Sequence, residues 1–135
     1  MRPFFCLAFN GIVRILMNRE KSNMKQFLEL LASAPNEVMF AQTMQVIDDH
    51  FDFNPTSFVN GDTENQAGQN NGSCKIFAFA QMQGLDEPST LSCFGQFYRD
   101  DVLKNPDGSD HANIRNFIQH GWSGIQFDGL ALTAK

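Results

Sequence analysis

Residues 60–84 read NGDTENQAGQNNGSCKIFAFAQMQG. The first part carries Gly61, Gly68 and Gly72 among asparagines, and no aliphatic residue there is larger than Ala67. That composition describes a long, polar, tightly turning loop, and loops of this length are often functional or disordered. The second part changes character at Ser73 and runs Cys74-Lys75-Ile76-Phe77-Ala78-Phe79-Ala80-Gln81-Met82. Ser73 is expected to cap a helix, because its hydroxyl can accept from a first-turn N–H. Gly84 is expected to end it, taking the left-handed conformation at little cost. A polar loop feeding a very apolar helix is the feature around which the chain arranges itself.

Working outward, 135 residues make one domain with enough chain for a core that needs neither metal nor disulfide. Fourteen phenylalanines supply that core. The net charge is −5, unevenly spread: residues 1–23 hold four basic side chains against Glu20, so the remainder carries −8. A surface of that sign repels phosphate backbones, which argues against nucleic acid as partner. Three cysteines, Cys6, Cys74 and Cys93, are an odd number without CxxC spacing and suit a reducing compartment. No apolar run is long enough to span a membrane.

Residues 1–23 do not share the pattern of the rest of the chain. They are expected to be a non-native or extra N-terminal extension, with Met24 as the natural start. Arg19-Glu20 can be encoded by a purine run of the kind that binds a ribosome. Two alternatives stay open. One is a real amphipathic helix using Ile12, Ile15 and Leu16. The other is a targeting signal, for which the apolar run is short and no cleavage pattern is present.

From Met24 the periodicity becomes helical, with Phe27, Leu28, Leu30 and Leu31 in a stripe that Pro35 ends. A second helix is expected over Ala41–His50, with Met44, Ile47 and Phe51 on one face. Val38-Met39-Phe40 is ambiguous. Phe51-Asp52-Phe53 alternates, Asn54-Pro55 turns, and Thr56–Val59 reads as a strand. After Gly84, Asp86 with Pro88 opens a helix whose broad face runs Leu91, Phe94, Phe97, Tyr98, Val102, Leu103. Asn105–Gly108 is a turn. Asp110 then caps a helix with Ile114, Phe117 and Ile118 inward and His120 in its last turn. Gly121 ends it, and Trp122 is placed to pack on Phe117. At the C-terminus, Ile125–Phe127 and Leu130–Leu132 flank Asp128-Gly129, a two-residue hairpin signal. A lone hairpin is marginal, so the Thr56–Val59 strand is the expected third member. The fold class is α+β: four or five helices with a small antiparallel sheet that includes the C-terminal hairpin.

Several groupings could carry chemistry. Gly68 through Lys75 looks like a phosphate loop, but its glycines are four apart instead of five and Lys75 is misplaced, so a nucleotide site is rejected. Gly72, Ser73, Cys74 and Lys75 can still hold an anion at a helix N-terminus; an ordinary capped loop is the bland alternative. Cys74 in a first turn, with His120 or His111 as base and Asp110 or an asparagine as orienter, would make a Cys–His pair; a small core cysteine is the simpler reading. His50, His111, His120, Asp48 and Asp49 are the ligand types for a metal, yet His111 and His120 are nine positions apart on one helix and face opposite ways. Asn60-Asp62-Glu64 fails the calcium-loop template at Asn65. No metal, cofactor or catalytic residue is expected, and Asp48, Asp49, Asp100 and Asp101 read as solvated. Asp110, His111, Asn113, Arg115, Asn116 and His120 form the densest polar cluster. They are either a binding face or the polar side of an amphipathic helix.

The motifs Phe53-x-Pro55-Thr56-x-Phe58-x-Asn60-Gly61, Ala67-Gly68-Gln69-Asn70-x-Gly72-Ser73-Cys74-Lys75-x-Phe77, Phe97-Tyr98-Arg99, His111-x-Asn113-Ile114-Arg115-Asn116-Phe117 and His120-Gly121-Trp122 together resemble the HopJ type III effector family. The resemblance covers 24–135. It implies no enzymatic mechanism and transfers no catalytic residue. On this reading the chain is a non-enzymatic interaction module of the cytoplasm, with Asp110, His111, Asn113, Arg115 and His120 in its contact face and another protein as partner. That partner is a host protein if the chain is secreted by a type III system. The alternative is a small-ligand or anion-binding protein or enzyme, with a pocket between the Asn60–Ser73 loop and the last helix.

Overall fold

A computed structural model describes residues 21–135. The expectations for residues 1–20 lie outside the described residues. Five α-helices, one π-helical turn and two 3-10 turns combine with five short strands among the described residues, an α+β arrangement.

Helix α1 (Met24–Ser33) starts where the Asn23 side chain accepts from Gln26 N, and it buries Phe27 and Leu31. Pro35–Glu37 forms a 3-10 turn, and Val38 is fully buried. Helix α2 (Phe40–His50) comes next, with Thr43, Val46, Ile47 and Asp49 inward. Asp49 is therefore not a solvated charge: it accepts from Ser22 N, Ser22 Oγ and Gln45 Nε2. Strand β1 (Phe51–Phe53) leaves α2 directly.

The stretch expected to be a long loop is largely ordered. Strands β2 (Phe58–Asn60) and β3 (Thr63–Asn65) form a hairpin about Gly61-Asp62, with Asn60 opposite Thr63. Gly-Asp is itself a two-residue hairpin signal. Gln66 and Gln69 then close a turn through Gln69 N on Gln66 O. Helix α3 (Asn71–Gln83) begins two residues before Ser73. Asn70 is the N-cap, left-handed at φ +53°, a conformation asparagine tolerates better than most residues. Ser73 therefore lies inside the first turn and caps nothing. Gly84 ends α3 as expected, its N–H on Ala80 and Gln81 carbonyls.

α3 is apolar nearly all round, the mark of a buried helix. Cys74, Ile76, Phe77, Ala78, Phe79 and Ala80 are all buried. Phe77 meets the rings of Phe58, Phe94, Phe117 and Trp122. Phe79 meets Phe27 and Phe51.

The single helix expected across Leu91–Leu103 is broken. Helix α4 (Glu87–Ser92) is capped by Asp86, which accepts from Ser89 N as expected. The chain then turns at Gly95, φ +60°, and resumes as a π-helical turn over Phe97–Val102. The break exists because Gly95 lies against the start of α2, where a Cβ would strike Phe40 N and the Met39 carbonyl carbon. Leu103, expected inward, is 53% exposed.

Helix α5 (Ala112–His120) has His111 as its N-cap, again left-handed at φ +53° and without a side-chain cap bond. Asp110 does not cap it, because Arg115 takes that carboxylate. Ile118 is 47% exposed, not inward. Gly121 ends α5 and Trp122 packs edge-on to Phe117, as expected.

Strands β4 (Ile125–Phe127) and β5 (Leu132–Ala134) succeed one another through the Asp128-Gly129 turn, and each takes a different partner. β4 pairs antiparallel with β2, Phe127 opposite Phe58, giving a sheet ordered β3–β2–β4. β5 pairs antiparallel with β1, Leu132 opposite Phe53. The second strand thus begins at Leu132 instead of Leu130, because β1 supplies its hydrogen bonds. Leu130 is left exposed.

Candidate functional site

The N-termini of α3 and α5 open onto one cleft, a cavity of about 340 Å³. Asn70, Gly72 and Ser73 form one rim, and His111, Ala112, Asn113 and Ile114 the other. Phe40, Phe94 and Phe97 wall it. The break at Gly95 and the π-helical turn after it place Phe97 here, where its ring stacks on His111 with centroids 5.3 Å apart.

The rims are alike. The first intrahelical bond of α3 is Cys74 N to Asn70 O, and that of α5 is Arg115 N to His111 O. The N–H groups of Gly72, Ser73, Ala112, Asn113 and Ile114 precede those bonds and have no intrahelical acceptor. Neither N-cap offers a side-chain cap bond. Each rim is thus a helix end carrying partial positive charge. Among the described residues, no lysine or arginine lines the cleft.

Behind the cleft lies a cluster of asparagine amides. Asn60, Asn65 and Asn113 are buried. Asn60 Nδ2 donates to Asn113 O at 2.8 Å and Asn113 Oδ1 at 3.0 Å. Asn65 Nδ2 donates to Asn113 Oδ1 at 3.1 Å. Asn65 Oδ1 accepts from Asn70 Nδ2 at 2.7 Å and from Asn113 Nδ2 at 3.0 Å.

The structure regroups the residues singled out in the sequence. Gly72, Ser73, His111 and Asn113, drawn from two separate candidate sets, share the cleft. Cys74 and Lys75 point elsewhere. Cys74 is buried with Sγ donating to Thr56 O, and that burial pushes its thiol pKa up, away from a reactive thiolate. Lys75 Nζ sits 2.9 Å from Asp48 Oδ1 and over the Phe53 ring. Arg115 donates to Asp110 Oδ1, Asp110 O and Asn105 O, fastening the 105–110 turn. That guanidinium holds the Asp110 carboxyl below the usual range. His120 lies at the other end of α5, over Gly61, with Nε2 3.6 Å from Asp62 Oδ2. Cys74, Arg115 and His120 thus have separate partners and do not form a unit. His111 Nε2 is 3.0 Å from Asp101 Oδ2 and 3.8 Å from Asp110 Oδ2, so Asp101 is paired and not merely solvated.

Phe40, Asn70, Phe94 and Phe97 were not singled out as site residues in the sequence. Only Asn70 carried a usable signal, an asparagine before a helix start, where left-handed backbone is common.

The family model described as HopJ type III effector protein matches residues 24–132. A crystal structure described as that of a protein of unknown function, VPA0580, is 55% identical with a TM-score of 0.86. The match covers 87% of this chain and 98% of that one. No curated protein matches. Over residues 24–132, which run from α1 to the start of β5 and include both rims of the cleft, this chain belongs to the HopJ type III effector protein family.

Proposed function

We propose that this protein binds a small organic anion with a flat apolar body in the cleft between α3 and α5. The observation that carries the reading is the lining itself: two uncapped helix N-termini on opposite rims of one cavity walled by three phenylalanines. Its volume, about 340 Å³, lies within the range of small-molecule sites. Free helix N–H groups recognise anionic oxygens, and phenyl faces recognise flat apolar surface. With no lysine or arginine in the lining among the described residues, and with Asp101 and Asp110 beside His111, a singly charged carboxylate suits the site better than a phosphate dianion. The site reads as a binding site because the nucleophile candidate, Cys74, is buried away from it. We prefer this reading to a contact face on α5, because Arg115 and Asp110, the strongest charges of that face, are engaged with each other.

The test is an NMR titration of isotope-labelled protein with 1-naphthoate, and with 1-naphthalenemethanol as its uncharged counterpart. The expected result is movement of the Gly72, Ser73, Ala112 and Asn113 amides, with naphthoate favoured about tenfold. Two helix ends at ~0.3–1 kcal/mol each, or more when partly buried, add up to that. Naphthoate that leaves these four amides unmoved overturns the reading.

A further inference from the structure

We propose that Asn65 is the positioning residue that holds the two rims of the cleft in register, so that one anion engages both helix N-termini together. The inference rests on the proposed function for its ligand and on the amide cluster for its mechanism. Asn65 belongs to β3 and is not among the residues that line the cleft; it is 2% exposed and lies behind it. Its single Oδ1 accepts from Asn70 Nδ2 at 2.7 Å and from Asn113 Nδ2 at 3.0 Å. Asn70 is the residue that starts α3, and Asn113 is the second residue of α5. One buried oxygen therefore ties the first turn of one helix to the first turn of the other. Asn65 Nδ2 completes the joint, donating to Asn113 Oδ1 at 3.1 Å and to Phe58 O at 3.4 Å. Among the described residues no other side chain bonds to both helix starts. A buried amide with donors and acceptors satisfied is rigid, because every alternative position leaves a polar group unpaired. The β2–β3 hairpin thus serves as the spacer of the site, and a change in it would be felt as a change in ligand preference.

The experiment repeats the titration with both naphthyl probes on the wild type, Asn70→Gly, Asn65→Ala and Asn116→Ala. Asn70→Gly is the variant expected to fold, since glycine accepts φ +53° and the substitution removes only the amide. Asn116→Ala is the control: it cuts Asn116 from Thr63 Oγ1 and from Asp62 N, loosening the same hairpin without touching the Asn65 joint, and its remaining bond, to Ala112 O, is internal to α5. In the wild type the amides of both rims should move together. In Asn70→Gly and Asn65→Ala the preference for naphthoate over the alcohol should fall about threefold, the contribution of one lost helix end. The Gly72 and Ser73 response should vanish while that of Ala112 and Asn113 persists. Asn116→Ala should lower the melting temperature and leave the preference intact. A wild type that discriminates, with Asn70→Gly discriminating equally, overturns the role of Asn65 alone. A wild type that binds neither probe overturns the ligand reading and this inference with it. If Asn65→Ala fails to fold, Asn70→Gly decides.

Discussion

Asp86 shows how one exposed side chain can define an element. Its carboxylate accepts from Ser89 N at 2.9 Å, and Pro88 lies in the first turn of α4. The bonds from the Ser89 backbone and hydroxyl hold the Asp86 carboxyl below its ordinary range. A depressed carboxyl pKa contributes stability that is present above the unfolded value, ~3.9, and lost as pH falls through the folded value. Asp86→Ala should therefore cost about 1 kcal/mol at pH 7, as N-cap removals do. The gap from wild type should hold down to about pH 4 and narrow below it. Urea denaturation of both proteins at pH 7 and pH 3 measures this, and equal stability at pH 7 would remove the cap from the account. Asp86 was legible because a short acceptor directly preceding Glu-Pro has few other uses. Ser73 and Asp110 were equally plausible caps by type, and neither caps. A left-handed residue, Asn70 or His111, takes each position, and the partners that allow it lie on β3 and the π-helical turn. No local rule sees those partners.

At the scale of elements the same distinction separates what could be read from what could not. The α1 stripe and the apolar run of α3 were legible, because apolar residues and a stop signal sit within one stretch of chain; on α2 only Ile47 of the expected face is buried within the helix, beside Thr43, Val46 and Asp49. The division of residues 87–103 was not. Its apolar spacing is continuous, and an isolated glycine is tolerated inside a helix. What breaks it is the approach of Gly95 to Met39 and Phe40, more than fifty positions earlier in the chain. Gln96 and Arg99 strengthen that junction, Gln96 Oε1 accepting from Phe40 N and Arg99 Nη1 donating to Val38 O. Gly95→Ala is therefore expected to be among the costliest small substitutions in the protein. It places a Cβ at φ +60°, worth ~1 kcal/mol, and drives it into main-chain atoms that cannot step aside. The expected loss exceeds about 2 kcal/mol, read as a fall in melting temperature of several degrees or more. An alanine variant within a degree of wild type would mean that the α4 break is dispensable. The position matters beyond stability, since the break is what carries Phe97 to the cleft wall.

For the whole molecule, α3 is the common neighbour. Phe77 is fully buried and touches four aromatic side chains, from β2, the turn after α4, α5 and the 3-10 turn Gly121–Gly124 beyond it. That centrality was readable from Cys74–Ala80 alone, because a run apolar on nearly every side, broken only by Lys75, has nowhere to go but inside. The cleft was not readable, because its lining comes from α2, the first turn of α3, the residues between α4 and α5, and α5 itself. Each contributes a few residues that look ordinary where they stand. The two facts are physically linked. Phe94 lines the cleft and also meets Phe77, with ring centroids 5.5 Å apart. Truncating Phe77 should then act twice. Phe77→Ala removes a ring from a packed interior and leaves a cavity that the surrounding aromatics cannot fill, a loss of about 3–5 kcal/mol. Against a domain stability of ~5–15 kcal/mol that is about a fifth or more of the total. The urea midpoint should fall sharply with the slope unchanged, since the surface exposed on unfolding stays nearly the same. In a variant that remains folded, Phe94 loses its backing and naphthoate binding should weaken alongside. A loss below ~1 kcal/mol would show that the rings around Phe77 repack freely. In that case the aromatic core would be fluid around α3, and the cleft would lack the rigid wall its ligand preference requires.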